Sequence, residues 1–310
     1  MKIVALSGGV GGAKLAHGLA QILPPEDLTI IVNTGDDFEY LGLKISPDLD
    51  TVCYTLAGLA NPTTGWGLAG ETWSVLSAVV ELGGPGWFKL GDRDLATHLE
   101  RTRRLKESQP LSLILRDFCQ SWGIKQLILP MSDQRVRTMV DTVEHGSLEF
   151  QEYFVKLDCQ PRVTGFQYLG AEEAFPAPGV IDRIHQAGAV IICPSNPWVS
   201  IAPILAVEGI KTSLKEKQVI AVSPIIAGAA VKGPTAKMYR ELGWQPSALS
   251  VAQHYSGLVK GFVIDNKDAA IEADIKRLGM EVLITRTLMD SIASRRQLAQ
   301  DVLNFIGTIL

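Results

Sequence analysis

A glycine-rich segment close to the N-terminus has the composition of a phosphate-binding loop. It covers residues 7–14, follows a short apolar run and opens a helical pattern, and it contains Gly8, Gly9, Gly11 and Gly12. Glycine lets the backbone turn tightly and approach a phosphate without a Cβ in the way. The helix that follows adds unpaired N–H groups and the positive end of its dipole. The segment therefore predicts an anion site, and a tight turn without a ligand is the alternative.

The spacing within this loop disfavours two common classes of nucleotide-binding protein. It departs from the Gly-x-Gly-x-x-Gly pattern of dinucleotide-dependent oxidoreductases, and no Ser or Thr follows Lys14 as the Walker pattern requires. NAD binding and ordinary P-loop hydrolysis are therefore not expected. Lys14 could reach a phosphate or lie exposed on the helix, and the sequence leaves both possibilities open.

Acidic residues follow the second predicted strand. Asn33, Asp36 and Asp37 stand in one loop, and Asp48 and Asp50 come shortly afterwards. In an extended segment the i, i+2 spacing of Asp48 and Asp50 would point both carboxylates the same way. Such a pair suits Mg²⁺, which prefers hard oxygen ligands and shares them with substrate phosphates. The alternative for Asp50 is an N-cap of the helical run that follows it.

A loop of mixed charge, residues 88–98, is the third candidate. Lys89 and Arg93 stand there beside a glycine and carboxylates, and arginine binds phosphate through its planar fork. We predict that both residues bind substrate. His98 is more often a packed or solvated residue than a catalyst. The arginines that follow are interpreted as part of an exposed, salt-bridged helix surface: Arg101, Arg103 and Arg104.

Serine and asparagine recur beside prolines after two later apolar runs. Ser195 and Asn196 follow the run at 190–193, and Ser223 follows the run at 219–222. Prolines fix the backbone, so that hydroxyl and amide groups are oriented toward a base, a ribose or a phosphate. Ordinary turns use the same residues, and it is the recurrence at two strand ends that favours a site.

The elements that must position these loops follow from the apolar pattern. Strands are expected at 3–6, 28–32, 190–193, 219–222, 262–264 and 281–284, and helices at 13–22, 181–186, 235–242 and 269–277. This alternation predicts an α/β protein with a Rossmann-like, mostly parallel sheet and helices on both faces. Ligands of such sheets bind beyond the carboxyl ends of the strands, which is where several of these loops lie.

One section interrupts the alternation. Helical patterns occupy 50–59, 71–82, 95–105 and 111–121, and alternating runs at 136–143 and 148–154 predict a β-hairpin. We therefore expect a single domain over residues 1–310. Its core would comprise about 1–50 and 166–310, with an inserted helical and hairpin section at about 51–165.

Composition narrows the class of protein. The formal net charge is −4, so no basic field indicates a nucleic-acid partner. The four cysteines form no Cys-x-x-Cys pair, which argues against a zinc site and for a reducing compartment. The first apolar run is too short for a signal-peptide core, and no run approaches the length of a membrane span. We expect a cytoplasmic protein without membrane or nucleic-acid partners.

Taken together, these residues resemble the 2-phospho-L-lactate transferase family, often called CofD. The motifs follow the family's order over nearly the whole chain: GGVGGAK (8–14), NTGDD (33–37), ISPDLDT (45–51), KLGDRDLATH (89–98), LPMSD (129–133), PSNPWVSIAPI (194–204) and VSPIIAG (222–228). The combination of DLDT, GDRDLATH and LPMSD in one chain is highly specific. Ala202 departs from the glycine that the family commonly has, which affects only the backbone detail of that loop.

The resemblance implies an enzyme of coenzyme F-420 biosynthesis. Family members join a guanylylated three-carbon phosphate to the deazaflavin Fo. The ribityl hydroxyl of Fo attacks the phosphorus attached to the lactate or enolpyruvate oxygen, GMP leaves, and Mg²⁺ assists. The resemblance also implies a homodimer.

Site roles carried over from the family involve the same loops. Asp50 and Lys89 would contact the deazaflavin, and Asp48 and Asp50 would lie near the metal and the phosphates. The guanosine diphosphate part would be held by the glycine loop, Ser195–Asn196 and the Ser223 loop. This chemistry needs no Ser or Cys nucleophile, and Asp50 could accept the proton of the ribityl alcohol.

Two other classes of protein stay as alternatives. The nearer is a non-catalytic, nucleotide-sugar-binding regulator of the gluconeogenesis-factor group, which shares the glycine loop and a segment like SPDLD. GDRDLATH and LPMSD distinguish the transferase from that group. A dinucleotide-dependent oxidoreductase is the second alternative, and the glycine spacing opposes it. The sequence does not decide among lactate, enolpyruvate and glycerate as the transferred acid.

Overall fold

The structure, a computed structural model, describes residues 1–309. Its strands are β1 (Ile3–Ser7), β2 (Leu28–Val32), β3 (Phe38–Tyr40), β4 (Leu43–Ile45), β5 (Leu127–Pro130), β6 (Arg137–Thr142), β7 (Gly146–Glu149), β8 (Val163–Leu169), β9 (Ala189–Ile192), β10 (Gln218–Val222), β11 (Ile225–Ile226), β12 (Ala229–Ala230), β13 (Gly261–Asp265) and β14 (Glu281–Thr285). The six strands expected from apolar runs are all confirmed, within one residue at most of their ends.

The helices surround these strands. They are α1 (Gly9–Ala20), α2 (Pro47–Leu56), α3 (Ser74–Glu81), α4 (Asp92–Lys106), α5 (Leu111–Ser121), α6 (Val180–Gln186), α7 (Ala202–Ala206), α8 (Ile210–Ser213), α9 (Thr235–Glu241), α10 (Ala248–His254), α11 (Glu272–Lys276) and α12 (Ile292–Ile309). Short 3₁₀ turns cover Pro25–Asp27 and Asn266–Ile271, and π-helical turns cover Glu152–Lys156 and Pro197–Ile201. No helix within residues 1–309 is long and apolar enough to cross a membrane.

Seven parallel strands form the central sheet in the order β14-β13-β10-β9-β1-β2-β5. The order of the sheet reverses at β1, which pairs with β2 on one side and with β9 on the other. The carboxyl ends of β1 and β9 therefore flank the switch point, where doubly wound sheets bind their ligands. The prediction of a Rossmann-like α/β fold is confirmed.

Both faces of this sheet are covered by helices, which explains the continuous apolar runs of its strands. Along β1, Ile3 and Ala5 pack into a layer with α1, α2, α5 and α12. Val4 and Leu6 face the opposite layer, which contains α6, α7 and α10. Because successive side chains of a strand point to opposite faces, a strand buried on both sides shows no polar alternation.

The section between α2 and β8 differs from its prediction in three respects. Residues 148–154 do not form one strand, because β7 ends at Glu149 and a π-helical turn follows. Phe150 and Phe154 stack with centroids 5.3 Å apart, an i, i+4 contact that belongs to helical spacing. The hairpin β6–β7 is present and gains a third antiparallel strand, β8. In addition, β5 pairs with β2, so this section supplies the edge strand of the main sheet.

Candidate active site

The glycine segment links β1 to α1 at the switch point of the sheet. Gly9 begins the helix with a φ of +62°, a conformation that glycine adopts readily. A Cβ on Gly11 would overlap the carbonyl oxygen of Pro194, and one on Gly12 would lie 2.6 Å from the Ser195 hydroxyl. Gly11 and Gly12 therefore lack side chains because the loop after β9 packs against them. A phosphate contact is not needed to explain these two glycines.

The loop after β9 holds this segment in place. Ser195 Oγ donates to Gly8 O at 2.8 Å and lies 3.3 Å from Gly8 N. Asn196 Oδ1 accepts from the backbone N–H groups of Trp198 and Val199 and so caps the π-helical turn. The structure thus brings the predicted residues Ser195 and Asn196 to the glycine segment, where their side chains order the backbone.

Ser223 stands at the carboxyl end of the neighbouring strand β10. Its hydroxyl donates to Ile225 O at 2.8 Å and accepts from Ile225 N at 3.1 Å, so it closes its own turn. Lys14 lies a turn and a half into α1 and donates to Met289 O at 2.9 Å. Neither contact tests the predicted role of these residues in substrate binding.

Asp48 reaches the glycine segment from α2. Its Oδ1 accepts from Gly9 N at 2.6 Å, and its Oδ2 accepts from Asn33 Nδ2 at 2.9 Å. Burial raises the pKa of Asp48 to about 6, although the hydrogen bonds from Asn33 and Gly9 oppose this shift. The predicted residues Asn33 and Asp48 are therefore joined, at the N-terminus of α1.

The expectation that Asp48 and Asp50 share an extended segment is wrong. Both lie in the first turn of α2, which begins at Pro47 and has Ser46 as its N-cap. Residues two apart on a helix differ by about 200° in direction, so Asp48 faces the glycine segment and Asp50 faces α4. Asp50 is not the N-cap either.

Asp36 and Asp37 complete a buried group of carboxylates. Burial raises the pKa of Asp36 well above its usual value, and the charges of Asp48 and Asp37 raise it further. Burial also raises the pKa of Asp37, whose Oδ2 accepts from Ser46 Oγ at 2.7 Å. The other oxygen of Asp37, Oδ1, is buried without a hydrogen-bond partner. Carboxylates in this state favour either a proton or a cation nearby.

Asp50 binds Arg101, a residue that the sequence did not assign to the site. The Nη1 atom of Arg101 donates to Asp50 Oδ2 at 3.1 Å, and its Nη2 donates to Asp50 Oδ1. Arg101 is 2% exposed, so the prediction of an exposed, salt-bridged surface is wrong for this residue. The same prediction is confirmed for Arg103, whose exposed side chain pairs with Glu100 and Glu107.

His98 and Asp94 extend the ion pair along α4. Arg101 Nη1 lies 3.1 Å from His98 Nδ1, so the guanidinium donates and the ring proton belongs on Nε2. Nε2 is 3.4 Å from Asp94 Oδ1 without the geometry of a hydrogen bond. Tyr54 OH donates to the same Asp94 oxygen at 2.7 Å. The spacing 94, 98, 101 on one helix face is the signal that sequence reasoning missed.

A cleft of about 120 Å³ lies beside this cluster. Lys89 and Asp94 line it, together with a loop whose part was not foreseen: Asn61, Thr64, Trp66, Gly67, Leu68, Glu71 and Trp73. Two tryptophans on a mostly apolar wall, with the polar side chains of Lys89, Glu71 and Asp94 beside them, suit a flat aromatic ligand that carries polar groups. Arg93 does not line the cleft; its Nη1 donates to Ala69 O at 2.6 Å and so fastens this loop to α4.

Asp94 connects the cleft to Asp50. Within residues 1–309, one group of acidic or histidine side chains has its ligand atoms within 4.8 Å of one another, and it consists of Asp50, Asp94 and His98. A helical turn thus carries Asp48 to the glycine segment and Asp50 to the cluster behind the cleft. A group transfer between two substrates requires two neighbouring binding sites, and the glycine segment and the cleft are the two candidates.

Comparison with known proteins identifies the family of this chain. The model of 2-phospho-L-lactate transferase CofD matches residues 3–290. The chain belongs to the CofD family. A phosphoenolpyruvate transferase of Streptomyces griseus is 42% identical, over 98% of either chain. A 2-phospho-L-lactate transferase of Methanosarcina acetivorans is 39% identical, over 99% of this chain and 100% of its own.

The solved structures support the fold. A UPF0052 family protein of Bacillus halodurans covers 97% of this chain and 98% of its own length with a TM-score of 0.63. Its sequence is 12% identical, so the likeness concerns the architecture alone. Membership of the CofD family makes the protein an enzyme, a transferase, and decides against a non-catalytic regulator.

Proposed function

We propose that the protein transfers a 2-phospholactyl or phosphoenolpyruvyl group from a guanylylated donor to the ribityl hydroxyl of the deazaflavin Fo, releasing GMP. The observation that carries the proposal is the first turn of α2. Asp48 on this turn touches the glycine segment, and Asp50 on the same turn touches the cluster behind the cleft. A donor on the glycine segment and an acceptor in the cleft would meet at this turn.

The guanosine diphosphate part of the donor suits the switch point. Apart from the Gly9 N–H, which donates to Asp48, the first turn of α1 would offer backbone N–H groups and a positive dipole end to a diphosphate. Ser195, Asn196 and Ser223 shape the adjoining loops after β9 and β10. Asn33, Asp36 and Asp37 would line the floor of this subsite.

The acceptor suits the cleft. The deazaflavin ring is flat and polar, and Trp66 and Trp73 supply aromatic surface while Lys89 supplies a donor at the wall. Arg93 would act indirectly, through the loop that it fastens.

In the reaction, the ribityl oxygen bonds to the phosphorus that carries the three-carbon acid. The bond from that phosphorus to the bridging oxygen breaks, and the electron pair leaves with GMP. Asp50 would accept the proton of the alcohol, directly or through the Asp50–His98–Asp94 cluster. Arg101 holds the Asp50 carboxylate in a fixed direction for this step.

Magnesium fits the carboxylates beside the glycine segment. A diphosphate there would face Asp48, and two negative groups at short range need a cation between them. Mg²⁺ commonly combines one or two carboxylates with substrate phosphates, and the unpartnered Oδ1 of Asp37 is a further oxygen of this group. Asp50 would serve as a ligand only by sharing its carboxylate with Arg101. When bound, the ion would offset charge on the transferred phosphoryl group.

The test is to incubate the enzyme with Fo, Mg²⁺ and a guanylylated donor and to identify the products by mass. GMP together with a phospholactyl or phosphoenolpyruvyl deazaflavin supports the proposal. A guanylylated deazaflavin would mean that attack falls on the other phosphorus. Parallel reactions with the lactate, enolpyruvate and glycerate donors identify the acid, and EDTA tests the metal. A homodimer in the cytoplasm stays a prediction, for which light scattering and cell fractionation are the measurements.

A further inference from the structure

A lysine outside the predicted motifs stands between the glycine segment and the cleft. Lys232 lies in the loop between β12 and α9, and its ammonium donates to Thr64 O, in the loop that walls the cleft. A Cβ built on Gly65 would lie 3.4 Å from Lys232 Nζ and 2.9 Å from Val10 Cγ1. The ammonium therefore sits close to the first turn of α1 and close to the cleft wall at once.

Two more cations lie along the same helix: Lys14 is one turn after Val10 in α1, and the backbone of Arg295 packs against Gly18, one turn further on. Lys14 donates to Met289 O, and burial, then the charges of Arg295 and Lys232, lower its pKa. Burial lowers the pKa of Lys232 as well. The Nε atom of Arg295 is buried and has no hydrogen-bond partner. The charges of Arg295 and Lys232 thus disfavour the charged form of Lys14, and an anion beside Lys14 would offset this effect.

Little nearby negative charge compensates for them. Asp290 is the acid that acts on Lys14, and it is already paired with Arg286 at 2.6 Å. The ammonium groups of Lys14 and Lys232 each donate one hydrogen bond to a backbone carbonyl, so two N–H donors remain on each group. The cluster therefore combines excess positive charge with free donors, next to the N-terminus of a helix.

We propose that Lys14, Lys232 and Arg295 form an oxyanion site for the end of the donor that lies away from guanosine. This inference rests on the proposed function, because it takes the donor to be a guanylylated phospho-acid. The transferred phosphoryl group and the carboxylate of the acid must lie between the glycine segment and the cleft. Lys232 lies between those two places. The site accepts either oxyanion, the second phosphate or the carboxylate.

The experiment measures the binding of GMP, GDP, inorganic pyrophosphate and the guanylylated donor by calorimetry. The variants are Lys232→Met and Arg295→Met. The control is Lys215→Met, which removes the same charge from an exposed position just before the amino end of β10, whereas the proposed site lies beyond the carboxyl ends of the strands. Unchanged melting temperatures show that the variants fold.

The expected result is an affinity for the donor about tenfold lower in both site variants, with GMP binding within twofold of wild type. If the affinities for GDP and pyrophosphate fall by the same factor, the site binds the second phosphate. If only the affinity for the donor falls, the site binds the carboxylate of the acid. The proposal is overturned if donor binding is unchanged, if GMP weakens equally, or if the wild type binds none of the four ligands. Because no turnover is needed, a wild type that binds GDP through Lys232 but transfers nothing would refute the proposed function and leave the anion site standing.

Discussion

Arg101 and Asp50 form a buried, two-pronged ion pair between α4 and α2. Both guanidinium Nη atoms donate to the carboxylate, and Arg101 also contacts Lys44 O at 3.4 Å. Burial alone would lower the pKa of Arg101, but the charge and hydrogen bonds of Asp50, together with Tyr54 and Asp37, raise the pKa above the usual value. The pair fixes the orientation of Asp50 against the helix that forms one wall of the cleft.

Arg101→Met should destabilise the fold strongly. Removing one member of a buried ion pair leaves the other charge uncompensated, which costs about 3 kcal/mol or more. Urea unfolding gives the free energy of unfolding. The matched control is Arg103→Met, since Arg103 lies on the same helix with its ion pairs in solvent, and it should unfold like the wild type. Equal midpoints for the two variants would contradict the buried pair.

Asp50→Asn should reduce turnover by about 100-fold or more while the protein still folds, because a positioned carboxylate acting as a proton acceptor contributes about that much. It should also unfold more easily than wild type, since Arg101 then lacks its charged partner. Asp117→Asn is the control, because Asp117 also pairs with an arginine, Arg104, at a partly exposed position. Full activity of Asp50→Asn at saturating Mg²⁺ would remove Asp50 from the mechanism.

The central sheet followed from the sequence because most of its strands contain short, mainly apolar runs. β2 and β13 are buried at every position, and their shortness together with the helical patterns between the runs favours strands over buried helices. β5 was not predicted as a strand, because it has only four residues and ends in Pro130. Proline is rare inside strands but is tolerated on the edge strand of a sheet, which β5 is.

The sequence predicted which loops meet at the candidate site, but it did not predict the side-chain contacts within that site. Ser46 followed by Pro47 is a helix start, with serine as N-cap and proline at the first position, and it could have placed Asp48 and Asp50 on a helix. The burial of Arg101 could not be foreseen, because its partner lies 51 positions away in the sequence. The spacing of residues in the sequence shows which side chains share one face of α4. The packing of α4 against β4 and α5 is needed to show which face is buried.

His17 should make stability depend on pH. Burial, then the charge of Arg295, lowers its pKa in the fold, and Nδ1 is buried without a partner. The unfolded chain therefore binds a proton below about pH 6.5 that the fold resists, so stability is lost as the pH falls below that value. The loss has a limit of about 1.4 kcal/mol per pH unit. Urea unfolding at several pH values should show a shallower slope for His17→Gln, and an unchanged slope for His145→Gln at an exposed position. Identical slopes for wild type and His17→Gln would refute the effect.

Lys89→Ala should raise the Michaelis constant for Fo about tenfold, which corresponds to the loss of one charged hydrogen bond. The constant for the guanylylated donor should change little, because Lys89 lines the cleft and not the glycine segment. Steady-state kinetics with each substrate varied in turn separate the two constants. Lys106→Ala removes a lysine from the far end of α4 and should leave both constants unchanged. An equal rise for both substrates would place Lys89 elsewhere.

Gly11→Ala should weaken donor binding and leave Fo binding nearly intact. The new Cβ would overlap the carbonyl oxygen of Pro194, a backbone atom that cannot rotate away. The loop after β9 must then move from α1, and Ser195 loses its hold on Gly8. Such overpacking costs about 1–3 kcal/mol of stability. Gly307→Ala is the control, since Gly307 lies in α12 and its Cβ would meet nothing within 4 Å. Calorimetry with GDP and with Fo, alongside urea unfolding, measures all three effects. If Gly11→Ala binds GDP as tightly as the Gly307→Ala control, the switch point of the sheet does not hold the donor.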